Sequence, residues 1–152
     1  MTTQPAPPRV VSASREIAAD AGRIFDLIAD PAQQPRWDGN DNLGQAAAGQ
    51  RVRQAGDMFT MTLKRGQVRE NHVVEFDEGR LIAWTPAEPG QPPPGHLWRW
   101  ELEPAGQDRT RVTHTYDWTR LTDKGRLPRA RATTAGKLGF SLDRLAALAE
   151  RW

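Results

Sequence analysis

A helix-forming segment near the start, a run of short strands, and a long amphipathic helix at the end follow one another in that order, and few folds accommodate it. The early segment, ADAGRIFDLIA, places Ile24, Phe25, Leu27 and Ile28 on one side of a helix that Asp20 can cap. Pro31 stops it, and PAQQPRW reads as a second short helix or turn ending at Trp37. At the far end Leu138, Leu142, Leu145, Ala149 and Trp152 form one apolar stripe, on a helix expected to begin near Pro128. The arrangement predicts an α+β fold: a curved antiparallel sheet of six to seven strands wrapped around the last helix, with a cavity between them.

The strand signals are windows of alternating polarity. They fall at 9–17, 50–54, 57–64, 67–77, 80–86, 96–104 and 109–118, and most separators carry turn residues such as Ala55-Gly56, Arg65-Gly66 and Glu78-Gly79. Residues 39–49 read as a loop, and the Pro-rich 86–95 is too long for a tight hairpin. In a meander, the 65–66 turn, the 86–95 loop, the exit of the last strand and the segment after Trp37 share one end. A cavity mouth is expected there, ringed by Trp37, the Pro-rich loop and residues 119–131.

Strand period assigns faces. His96, Trp98, Trp100 and Leu102 share one side, as do Val112, His114, Tyr116 and Trp118, and Phe59, Met61 and Leu63. In 67–77 the alternation puts Val68, Glu70, His72, Val74 and Phe76 inside. For 80–86, Leu81/Ala83 and Ile82/Trp84 both remain possible inner pairs. The expected inner face is an apolar wall with sparse polar groups, the composition of a ligand pocket. Trp37, Phe59, Met61, His72, Trp98, Trp100, His114, Tyr116, Leu138 and Leu142 are the candidate ligand contacts. Plain core packing is the competing reading for each tryptophan. His114 and Tyr116, two apart on one face, are the candidate acid–base pair; a histidine that hydrogen-bonds without proton transfer is the alternative.

The rest of the sequence excludes more than it adds. Without cysteine there is neither a disulfide nor a thiolate nucleophile. Three scattered histidines make no metal site, and no cofactor is expected. Phosphate-binding glycine loops and a G-x-S-x-G elbow are absent, and WDGNDN lacks calcium-loop spacing. Residues 1–8 are polar and Pro-rich, read as a disordered tail without signal-peptide character, ahead of one domain over 9–152. No stretch suits membrane insertion, so a cytoplasmic monomer or homodimer is expected. Net charge is only +2, and the basic residues are too scattered for nucleic-acid binding. Their densest group, Arg120, Lys124, Arg126, Arg129 and Arg131, reads as a solvated helix entry that is also able to attract an anion.

VSASREIAADAGRIFDLIADPAQQPRW is similar to the opening strand, helix, Asp-Pro and Trp of the START-like helix-grip (SRPBCC) superfamily. That superfamily includes polyketide cyclases, lipid-transfer domains and relatives of the birch-pollen allergen. DRTRVTHTYDW resembles its late strand and GFSLDRLAALAERW its closing helix. Asp108-Arg109-Thr110 stands where the family has Gly-Thr, with Gly106 two residues earlier, which bears on the turn and not on the fold. The resemblance implies a scaffold and leaves function open. Three readings follow: binding of a small hydrophobic molecule (lipid, polyketide or aromatic metabolite); a cyclase or dehydratase using His114 and Tyr116; and a protein-interaction module like the chaperone-ATPase activators.

Overall fold

The computed structural model describes residues 8–151. The expected N-terminal tail falls, apart from residue 8, outside the described residues, and so does Trp152. Strand β1 (Val10–Ile17) leads into helix α1 (Ala21–Ala29), a 3₁₀ turn at Pro31–Gln33, and helix α2 (Gln34–Trp37). Six strands follow: β2 (Leu43–Gln45), β3 (Met58–Leu63), β4 (Val68–Asp77), β5 (Leu81–Ala87), β6 (Leu97–Pro104) and β7 (Thr110–Asp117). Helices α3 (Leu127–Ala132) and α4 (Ala135–Ala149) complete the chain. The sheet is antiparallel throughout, in the order β1-β7-β6-β5-β4-β3-β2. It is the helix-grip architecture expected from the order of parts.

Local chemistry explains the element ends. The Asp20 carboxylate accepts from the Arg23 amide at 2.8 Å and caps α1. The Asp30 carboxylate accepts from the Ala32 amide at 3.2 Å as the chain turns through Pro31. Arg23 reaches across to the far end of α4, donating to the carbonyls of Ala149, Leu148 and Arg151 at 2.6, 3.2 and 3.0 Å. A guanidinium there satisfies terminal carbonyls and opposes the negative end of the helix dipole. The core is Ile17, Ile24, Phe25 and Ile28 against Trp100, Val112, Leu142 and Leu145, all fully or almost fully buried. Each aliphatic side chain so buried contributes roughly 1.5–3 kcal/mol before entropy is counted.

Three expectations need correction. The segment 50–54 is no strand. Its Val52 is buried in the core, and the Val52 amide bonds the Ala29 carbonyl at the end of α1, so its polar–apolar alternation reflects a plug rather than a ladder. The edge strand is instead β2, inside the expected loop. The last helix does not run unbroken from Pro128. Thr133 and Thr134 take extended conformations, and Thr134 caps α4 through its hydroxyl, so α3 is a separate piece. Finally, β4 carries a bulge. Val73 pairs with Trp84 and Glu75 with Ala83, leaving Val74 as the extra residue. The bulge shifts the phase by one. Phe76 faces inward as expected, but before the bulge the inner residues are Arg69, Asn71 and Val73. Glu70 and His72 therefore face outward, His72 opposite Met58 and Thr85.

Where the sequence departs from the family's Gly-Thr, Asp108 supplies the left-handed turn residue at φ +52°, a conformation that Asp tolerates better than most residues.

Candidate functional site

A cavity of about 350 Å³ opens between the sheet and the helices. It draws on the segments that the meander places at one end: Asn40 and Leu43 after α2, Pro86 and His96 flanking the Pro-rich loop, and Arg126 and Arg129 of the basic segment. Two close approaches hold these segments together. A Cβ on Gly95, at φ +123°, would lie 2.1 Å from the Arg120 carbonyl oxygen, so the Pro-rich loop touches the chain leaving β7 only because Gly95 has no side chain. Gly39 likewise abuts Ser141 of α4, and its amide donates to the Ser141 hydroxyl at 2.8 Å.

The wall is aromatic. Trp84, Trp98 and Trp100 line it from β5 and β6, His114 and Tyr116 from β7, and Trp37 from α2. Trp37 is not a rim residue as expected. It is 4% exposed, meets Trp100 edge-on at 5.1 Å, and donates its indole N–H to the Leu27 carbonyl at 2.8 Å. The hydrogen bond back to α1 pulls the last residue of α2 into the core. The Ile82/Trp84 alternative is the inner pair on β5.

Cross-strand register positions the β7 side chains. Trp100 pairs with His114 and Trp98 with Tyr116, so their rings project side by side. His114 stacks on Trp100 at 3.7 Å and on Trp98 at 5.6 Å. Its Nδ1 lies 3.0 Å from the Arg99 carbonyl, an acceptor, so Nδ1 carries the proton and Nε2 the lone pair. Burial drives the His114 pKa down to about 4, with the Arg99 carbonyl bond pulling weakly the other way. Burial likewise pushes Tyr116 up to about 12. His96 is lowered to about 4 by burial and then by Arg126, Arg69 and Arg129. His96 Nδ1 and Trp100 Nε1 are buried without a hydrogen-bond partner in the protein.

Of the residues expected to contact a ligand, Trp37, Met61, Trp98, Trp100, His114 and Tyr116 come together on the wall. Phe59 lies behind it, edge-on to Trp84 at 5.4 Å. Leu138 and Leu142 are buried in the packing stripe of α4, whose cavity-facing residues are their neighbours Lys137 and Ser141. His72 is on the opposite face of the sheet. Strand reasoning missed Arg69 and Asn71, which the β4 bulge turns inward; His96 was on the assigned inner face but went unselected.

Among the described residues no helix is long and apolar enough to cross a membrane. Residues 8–150 match the family model described as polyketide cyclase / dehydrase and lipid transport. Among curated proteins the chain is similar to the uncharacterized protein Rv0088 of Mycobacterium tuberculosis, at 30% identity over 121 residues covering 78% of this chain and 51% of that protein. The chain thus spans about half the length of the curated relatives it matches. Among solved structures, protein CV1439 of Chromobacterium violaceum superposes with a TM-score of 0.66 at 18% identity, over 95% of this chain and 99% of the other. A START superfamily protein of Mycobacterium smegmatis gives 0.65 at 18%, over 93% and 97%. At these identities the structural likeness speaks for the fold, and the family match covers nearly the whole chain: the protein belongs to the polyketide cyclase / dehydrase and lipid transport family, with a START-like helix-grip fold.

Proposed function

We propose that the chain binds a small molecule with an apolar body in the cavity between the sheet and its helices. The observation that carries this reading is the continuous wall of Trp37, Trp84, Trp98 and Trp100 around about 350 Å³ of open space, at the small end of the roughly 300–1,000 Å³ usual for ligand sites. These four tryptophans line the space without filling it.

The geometry favours binding over acid–base chemistry by His114 and Tyr116. A general base works best with a pKa near the working pH. His114 at about 4 is a weak base, oriented by a backbone carbonyl rather than by a carboxylate. Tyr116 at about 12 is a hydrogen-bond donor that holds its proton. Together they suit orienting a ligand oxygen or nitrogen.

The test is titration with the neutral fluorescent probe N-phenyl-1-naphthylamine, following probe enhancement and tryptophan quenching. Saturable binding is expected, weakened about tenfold or more by Met61→Trp, which fills the cavity, and only modestly by His114→Gln. Absence of saturable binding to the folded protein would sink the reading.

A further inference from the structure

The open end of this aromatic cavity is cationic. Arg69 of β4, Arg126 and Arg129 of the α3 region, and Lys137 of α4 line it, against one carboxylate, Asp38. That carboxylate is already engaged. It accepts from the amides of Asn40, Asn42 and Leu43 at 3.1, 3.1 and 3.3 Å, which holds the loop after α2.

The cations are poorly compensated. Arg126 makes two long ion pairs, with Glu88 and with Asp123, both at 3.4 Å, and both partners are more than half exposed. Among the described residues neither Arg69 nor Arg129 forms an ion pair. Burial, then Arg126, lowers the Arg69 pKa; Glu88 opposes this and Arg129 adds to it. Like charges gathered at a half-buried site cost free energy unless something offsets them. Arg129 and Lys137 are exposed, as a solvated helix entry would have them, but the Arg126 side chain is only 23% exposed and Arg69 is half-buried, so these two are held at the cavity rather than spread into water. Beside them stand neutral polar groups: the Tyr116 phenol and the His96 ring, whose Nδ1 lacks a partner.

We infer that the ligand is an amphipathic carboxylic acid, its carboxylate held by Arg69, Arg126 and Arg129 and its apolar body against Trp84, Trp98 and Trp100. This rests on the cavity being a binding site. A guanidinium pairs a carboxylate through two parallel hydrogen bonds, and the partly desolvated setting strengthens them. The apolar body can be an aromatic ring system or an acyl chain, and the aromatic walls suit either.

The experiment uses two matched pairs, 2-naphthoate with 2-naphthamide and octanoate with octan-1-ol. Each competes with bound N-phenyl-1-naphthylamine. An acid is expected to bind about tenfold tighter than its neutral isostere, and which pair shows this identifies the body. In the Arg69→Gln/Arg126→Gln double variant that preference is expected to vanish. In Arg111→Gln, an exposed outer-face control, it is expected to persist. Raising salt from about 0.05 to about 0.5 M narrows the preference in the unmodified protein, so the readout survives if the double variant fails to fold. If neither acid is preferred, or the preference outlives both charge removal and salt, the carboxylate assignment falls while the cavity reading stands. If neither the probe nor any of the four compounds binds the folded protein, both fall together.

Discussion

His114 lies flat against Trp100, ring centroids 3.7 Å apart and planes 12° from parallel, while its Nδ1 meets the Arg99 carbonyl of the neighbouring strand at 3.0 Å. The ring is thereby buried, uncharged and fixed in one tautomer. A pKa near 4, against an ordinary 6.5, means that between those pH values the unfolded chain binds a proton that the folded chain refuses. Stability therefore rises with pH through this window and is lost as pH falls from about 6.5 towards 4. The full effect for His114 is on the order of 3 kcal/mol. Denaturant melts of the unmodified protein and His114→Gln, compared from pH 7 to pH 4.5, should show a flatter pH dependence in the variant. Equal slopes would contradict the buried neutral ring. Glu75, whose pKa is lowered chiefly by its hydrogen bond with Arg99, loses its contribution only below its ordinary value of 4.5, outside that comparison.

Trp98 and Trp100 line the same cavity but differ in burial. Trp100 is 0% exposed and wedged between Trp37 and His114, whereas Trp98 is only partly buried. Trp100→Leu is expected to cost about 3 kcal/mol of stability, the scale of removing a large core side chain. Trp98→Leu is expected to cost about 1 kcal/mol of stability and to weaken probe binding more than it weakens the fold. Urea melts alongside probe titrations separate the two. A Trp98→Leu protein with undiminished affinity removes Trp98 from the ligand wall.

Gly95 is the contact that lets the Pro-rich loop meet Arg120. An alanine there faces both a disfavoured φ of +123° and a Cβ 2.1 Å from a carbonyl oxygen. Gly95→Ala should lower stability by about 2 kcal/mol or more and speed hydrogen exchange around residues 118–121. Unchanged exchange there would mean that the loop does not depend on this approach.

Arg23 joins α1 to the end of α4 through three carbonyls. Arg23→Met keeps the apolar stem and removes the donors, with an expected loss of about 2 kcal/mol. The exchange of the last α4 amides should rise while that of β6 and β7 holds. A protein as stable as the parent would show that water satisfies those carbonyls equally well.

Much of this protein follows from local periodicity. The inner faces of β3, β6 and β7, the buried stripe of α4, the cap at Asp20 and the stop at Pro31 depend on neighbours a few residues away, and the sequence alone determined them. The shared inward face of Trp98, Trp100, His114 and Tyr116 was legible in the same way, because unbroken strands keep a period of two, but which ring meets which was decided by the β6–β7 register. The tertiary structure decided the rest. The bulge at Val74 answers to the pairing of β4 with β5, and it alone turned Arg69 inward and His72 out. Val52 and Trp37 are buried because α1 offers each a backbone carbonyl, a partner 23 residues away for Val52 and 10 for Trp37. The cationic end of the cavity joins Arg69 to Arg126 and Arg129 across more than fifty residues of chain, with α3 separated from α4 by the extended Thr133 and Thr134. Convergence of that kind has no local signature: periodicity tells which way a side chain points along its own element, and only packing between elements tells what it meets there.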